Sequence, residues 1–147
     1  MTDANPYAAP LDQRPPFSPA EEKQWSILTH LGSLFFPVIA AAVMFFLFRG
    51  RGPFIRAHVT TAWNFQLTVA IGIALGFVFA FGSFFATFLS RDAIGSGIPP
   101  SLGLFFVGYF LIMVIQLLNW IFSIIAAVAA GKGNYYRYPI AIPFVKV

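Results

Sequence analysis

Val59–Ser90 reads VTTAWNFQLTVAIGIALGFVFAFGSFFATFLS, 32 residues without a lysine, arginine, aspartate or glutamate. As a helix rising 1.5 Å per residue it extends roughly 48 Å, well beyond the roughly 30 Å of a bilayer's hydrocarbon core. Two more uncharged runs flank it, Trp25–Phe48 with 24 residues and Ile98–Ala130 with 33. The whole chain agrees: of 147 residues, 59% are hydrophobic and 18% aromatic, and only 10% are charged. A water-soluble domain carries about a quarter charged residues and under half apolar ones, so part of this chain's solvent is lipid. The sequence predicts an all-α integral membrane protein with three transmembrane helices.

The spans are expected at about 25–48, 66–90 and 103–130, since each uncharged run exceeds what a bilayer needs. Phe54 to about Phe65 is expected to form an interfacial helical segment before the second span. Ile98–Leu102, with Pro99 and Pro100, is expected to be the entry turn of the third. Pro37 lies inside the first run and should kink that helix rather than break it, because neither piece is long enough to cross alone. Ahead of it, Ser18, Pro19 and Glu21 spell an N-cap, a first-turn proline and a capping-box glutamate. Residues 1–19 hold five of the eleven prolines and read as a disordered Pro-rich tail, or as a polyproline ligand, ahead of one membrane domain over 20–147. They lack the basic start, short apolar stretch and small-residue cleavage site of a secretory signal, so the first span is expected to insert uncleaved.

Charge placement gives an orientation. Arg49, Arg51 and Arg56 fall in the first connection and Lys132, Arg137 and Lys146 in the C-terminal tail, six basic residues on one side of a three-span protein. Arg14, Lys23 and Arg91 make three on the other. The positive-inside rule then places the N-terminus outside and the C-terminus in the cytoplasm of a bacterial inner membrane.

Thr60, Asn64, Thr68, Gly72, Gly76 and Ala80 follow one another at intervals of four and form a small and polar stripe on the second span. Between helices in lipid, close backbone approach and hydrogen bonds replace the hydrophobic force, so the stripe is a packing face, either within the chain or toward another copy or a pore. Gln66 lies beside it, and on the third span Gln116, Asn119 and Ser123 share one face. Amides at that depth need partners and serve as interhelical glue or as the lining of a hydrated path. His30 and His58, the only histidines, fall toward opposite membrane surfaces in this topology, so no two-histidine metal site is expected. With no cysteine there is neither a disulfide framework nor a thiolate metal site. Asp3, Asp12, Glu21, Glu22 and Asp92 all lie in tails, caps or loops, leaving no intramembrane acid for proton chemistry. No catalytic or phosphate-binding motif and no basic stripe of nucleic-acid-binding density occurs. The expectation is a non-enzyme without cofactors whose partners are the lipid bilayer and either copies of itself or other membrane proteins. After the third span, Gly131 stops the helix and Tyr135, Tyr136 and Tyr138 with Arg137 suit the headgroup region. Ile140–Val147 is expected to lie extended on the membrane surface or on the Arg49–Arg56 loop.

Three segments together resemble a bacterial family of small three-span membrane proteins grouped with the Tic translocon channel subunit of the chloroplast inner envelope. They are Thr29-His30-Leu31, the stretch from Pro53-Phe54-Ile55-Arg56-Ala57-His58 to Ala62-Trp63-Asn64-Phe65-Gln66, and Tyr136-Arg137-Tyr138-Pro139. The resemblance covers Ala20–Val147 and singles out His30, Arg56, His58, Asn64, Tyr138 and Pro139. The sequence departs from it at Gly131-Lys132-Gly133-Asn134, where relatives tend to carry an Asn-x-Gly-Glu type of turn. The plastid relative conducts or scaffolds protein import, so the resemblance implies a scaffold subunit or a component of a translocon-like conduit.

Overall fold

A computed structural model describes residues 15–89 and 100–146, so most of the tail expected over 1–19 lies outside the described residues. The order is α1 (Pro19–Phe35), α2 (Pro37–Phe48), α3 (Pro53–Leu89) and α4 (Pro100–Gly131), with no strand among the described residues. Among the described residues, α3 and α4 are the helices long and apolar enough to cross a membrane. The chain forms two compact units, one of residues up to 68 together with 120 onward, the other of residues 69–119.

In the first unit α1 begins as its sequence predicts. The Ser18 hydroxyl accepts from the Glu21 N–H, and the Glu21 carboxylate accepts from the Ser18 N–H at 2.8 Å and from its hydroxyl at 2.7 Å. Those bonds hold the Glu21 carboxyl below its ordinary range. Phe17, just before the cap, belongs to the fold: its N–H donates to the Arg51 carbonyl at 2.6 Å and its ring stacks on Trp25.

The run Trp25–Phe48 does not make one kinked span. α1 stops at Phe35, Phe36 takes φ −131°, ψ 71°, and α2 restarts with Pro37 in its first turn. A residue before proline is driven out of the α region, which ends α1, and proline is well suited to start α2. The two helices then double back: Phe48, at the end of α2, meets Phe17 and Trp25, at the start of α1. The α1–α2 pair is a hairpin with exposed Phe35, Phe36 and Ile39 about its tip. Its arms, about 25 and 18 Å long, fall short of a bilayer's thickness.

α1 is inside out by the standards of a soluble helix. Its buried residues are Glu22, Ser26, Thr29, His30 and Ser33, while Leu28, Leu31 and Phe35 are exposed. The Ser26, Thr29 and Ser33 hydroxyls donate to the carbonyls four residues back, so they need no outside partner. A polar interior with an apolar exterior is stable where the solvent is lipid.

Glu22 crosses to α3 and accepts from the Ile55 N–H at 2.8 Å, a carboxylate set against the positive end of that helix. Gly52 makes room for it, since a Cβ there would fall on the Glu22 carboxylate, whereas one at Gly50 would meet nothing. Gly52→Ala is therefore expected to cost about 1–3 kcal/mol by overpacking. Gly50→Ala should be near neutral in the same detergent unfolding measurement.

No separate interfacial segment precedes the second span. α3 runs unbroken from Pro53 to Leu89, and Ile55, Val59, Ala62 and Phe65 are fully buried rather than laid on a membrane surface. Nothing in Phe54–Phe65 breaks a helix, and Phe45, Trp25, Met44 and Phe48 of the hairpin pack against Ile55 and Val59. α4 ends in a Schellman motif: the Asn134 N–H donates to the Ala129 carbonyl and the Gly133 N–H to that of Ala130, with Gly133 at φ 77°. Gly133 lies against the Lys23 side chain, so the end of α4 and the start of α1 share one end of this unit. The C-terminal tail does not lie free on a surface: its end reaches the Arg49–Arg56 loop, where Val145 packs on the Phe45, Ile55 and Val59 cluster. It returns along α3, where Val145 exchanges two hydrogen bonds with the Asn64 amide and the Ile142 N–H donates to Thr68.

In the second unit α3 and α4 meet through small residues. A Cβ on Gly108 would stand 2.9 Å from the Ala80 backbone nitrogen, and one on Gly76 would stand 2.7 Å from Ile112. Beyond this contact Phe105 packs on Phe81 and Phe84.

Candidate functional site

The polar interior of the first unit gathers residues far apart in sequence. The fold brings His30 from α1, His58 from α3 and Tyr138 from the tail to one buried spot. His30 Nε2 lies 2.9 Å from His58 Nδ1, and the Tyr138 hydroxyl lies 2.9 Å from His30 Nδ1. All three are at most 2% exposed. The histidines do not lie toward opposite surfaces, as a three-span topology requires, because the α1–α2 hairpin returns the chain to the end where α3 begins.

A neutral imidazole offers one donor and one acceptor, and a consistent assignment gives the cluster one direction. Ser123 of α4 hydrogen-bonds to the Tyr138 oxygen, Tyr138 donates to His30 Nδ1, and His30 Nε2–H donates to His58 Nδ1. This leaves the proton of His58 on Nε2, which has no partner of good hydrogen-bond geometry but feels the Asn134 backbone carbonyl. Aromatic rings seal the chain: Phe65 stacks on Tyr138 with centroids 3.9 Å apart, and Phe54 and Tyr135 cover His58. Burial raises the Tyr138 pKa above its ordinary 10.0, so the hydroxyl stays a donor. Because the folded value is raised, this contribution to stability is complete below pH 10.0 and is lost as pH climbs above it. Thermal stability is expected to fall more steeply above that pH in the wild type than in Tyr138→Phe.

The stripe from Thr60 to Ala80 is occupied within the chain. Asn64 and Thr68 hold the tail in the first unit; Gly72, Gly76 and Ala80 accept Ile115, Ile112 and Gly108 in the second. Thr60 is buried. Gln66, Asn119 and Ser123 are buried and engaged, and Gln116 is half-buried. Of the residues singled out by the family resemblance, the fold brings His30, His58 and Tyr138 together, ties Asn64 to the tail, and leaves Arg56 and Pro139 exposed. Sequence reasoning missed the buried side of α1. Its signal is the helical spacing of Glu22, Ser26, Thr29, His30 and Ser33, polar residues on one face of a helix otherwise read by hydropathy alone.

No group of three or more metal-ligating side chains occurs among the described residues. The two histidine nitrogens are already hydrogen-bonded to one another, so the buried cluster is a structural network closed to solvent.

Residues 21–145 match the model of the MamF/MmsF family, described as magnetosome magnetite crystal formation proteins, and the chain belongs to that family. No curated protein and no solved structure matches it. The match overturns the relation to the Tic translocon subunit: the Thr29–Leu31, Pro53–Gln66 and Tyr136–Pro139 segments that carried that resemblance all lie inside the stretch matched to the magnetosome family. The family is a magnetosome membrane family, and the two long apolar helices accord with a membrane protein.

Proposed function

We propose that this chain is a non-enzymatic architectural protein of the membrane around a growing magnetite crystal. The observation that carries the reading is that polar side chains pair with one another inside the fold, in the Ser123–Tyr138–His30–His58 chain and the Asn64–Val145 pair, while the exterior is rich in large apolar side chains. Such a body has faces for lipid and for neighbouring membrane proteins, further copies included. Asn64, a candidate lining residue for a conduit, spends its amide on the tail.

In this reading α3 and α4 cross the membrane and the α1–α2 hairpin dips into one leaflet from the side where both termini lie. Lys23, Arg49, Arg51, Arg56, Lys132, Arg137 and Lys146, the seven basic residues among the described ones, then share one side. That asymmetry favours a cytoplasmic location for both termini. The chain has no cysteine, so single introduced cysteines report sidedness cleanly. Ala20→Cys and Lys132→Cys are expected to react with a membrane-impermeant maleimide from the cytoplasmic side and Ser96→Cys from the other. Labelling of Ala20→Cys and Lys132→Cys from opposite sides would falsify this topology.

The architectural role is tested in a magnetite-forming cell deleted for the gene. Electron microscopy is expected to show crystals of altered size or shape, restored by the wild type and not by a variant that fails to pack, such as Gly108→Leu. Unchanged crystals in the deletion strain would end the proposal. Liposomes carrying the purified protein should be no more permeable to ions than empty ones, and flux abolished by Gln116→Leu with Asn119→Leu would favour a conduit instead.

A further inference from the structure

We infer that the cleft between the α2–α3 turn and the C-terminal tail binds the phosphate of an anionic phospholipid headgroup. The cleft, about 270 Å³, is lined by Arg49 and Gly50 of the turn, Arg56 and Thr60 of α3, Val145 and Lys146 of the tail, and Phe45. Three cations therefore converge on one hollow. A second hollow shares Arg49, Gly50 and Arg56 and extends to Gly52 and Pro53, where α3 begins.

Nothing inside the described chain neutralises this charge. Its two carboxylates are committed elsewhere, Glu21 to Ser18 and Glu22 to the Ile55 N–H. Arg51, the other arginine of the turn, lies with its guanidinium 4.1 Å from the centre of the Phe17 ring and does not line the cleft. Thr60 is 2% exposed and lines the hollow. Two guanidiniums, an ammonium and a hydroxyl are the donors that a phosphate diester with its charged oxygens requires, and arginine meets such oxygens in pairs.

A lipid is favoured over a soluble phosphate by what surrounds the donors. Phe45 and Val145 form apolar walls, and Val43, Phe46 and Leu47 of α2 are exposed nearby in sequence, a surface for acyl chains. The cleft lies at the end of α3 where headgroups sit if that helix crosses a bilayer. The inference rests on that membrane reading, not on the architectural role.

The test titrates the purified full-length protein in detergent with short-chain phosphatidylglycerol, short-chain phosphatidylcholine or inorganic phosphate. Bound ligand is read by native mass spectrometry and melting temperature by intrinsic fluorescence. Phosphatidylglycerol should bind and raise the melting temperature at concentrations where the other two do neither. Arg49→Gln, Arg56→Gln and Lys146→Gln should each weaken binding about fivefold, the equivalent of the roughly 1 kcal/mol a basic residue gains near an anionic surface. The triple variant should lose on the order of 100-fold, while Arg91→Gln changes nothing. Circular dichroism checks that the variants stay helical; if the triple variant does not, the single variants at these exposed positions decide. Unchanged affinity in the variants overturns the inference. Phosphate binding as strong as the lipid's overturns the lipid in favour of a soluble phosphate. Carbonate extraction of cell membranes separates these failures from failure of the membrane reading, since only in the latter is the protein released.

Discussion

His30→Ala is expected to be the most damaging substitution in the first unit, at about 3 kcal/mol or more, since a buried void and two orphaned groups each cost at least roughly 1 kcal/mol. The orphans are the Tyr138 hydroxyl and His58 Nδ1, each 2.9 Å from the lost ring. Tyr138→Phe removes one hydroxyl and leaves His30 Nδ1 without its donor, at a cost of about 1–3 kcal/mol. The decisive measurement is the cycle between them. Once His30 is gone, Tyr138 has less to lose, so the double variant should cost clearly less than the sum of the single ones. Additive losses in reversible detergent unfolding would mean that the three side chains do not act as one network.

Gly108→Leu is the second large effect, and it falls in the other unit. A Cβ at Gly108 would stand 2.9 Å from the nitrogen and Cβ of Ala80 and 3.0 Å from its Cα, so backbone, not a flexible side chain, is in the way. Even Gly108→Ala should lose about 1–3 kcal/mol through forced separation of α3 and α4. Its sign is the informative part. Alanine is a better helix former than glycine by about 1 kcal/mol, so Gly82→Ala and Gly103→Ala, whose added Cβ atoms meet nothing within 4 Å, should be neutral or stabilising. Gly108→Leu should abolish packing of the second unit, seen as loss of the folded protein on extraction. A Gly108→Leu protein as stable as Gly82→Leu would show that this close approach is not what holds the helices together.

Much of this was legible in the chain. The long uncharged runs after Val59 and Ile98 announced two membrane-length helices, because hydropathy over 30 residues admits few other solutions. Ser18, Pro19 and Glu21 marked the start of α1 through purely local hydrogen bonding, which needs no tertiary context. The four-residue interval from Thr60 to Ala80 put those side chains in line through helical period alone, without saying what each would meet.

Tertiary structure decided what those helices do. Hydropathy scores a residue's preference for lipid and is blind to direction, so Trp25–Phe48 read alike as a span or as a hairpin. The outcome turned on the Phe36–Pro37 break and on whether the far ends found each other, as Phe17, Trp25 and Phe48 do. That return alone brought His30 to His58, 28 positions away, and Tyr138, a further 80, closed the chain. No local pattern encodes such meetings: a buried imidazole needs a donor and an acceptor, but which residues supply them is fixed only when separate segments share one interior.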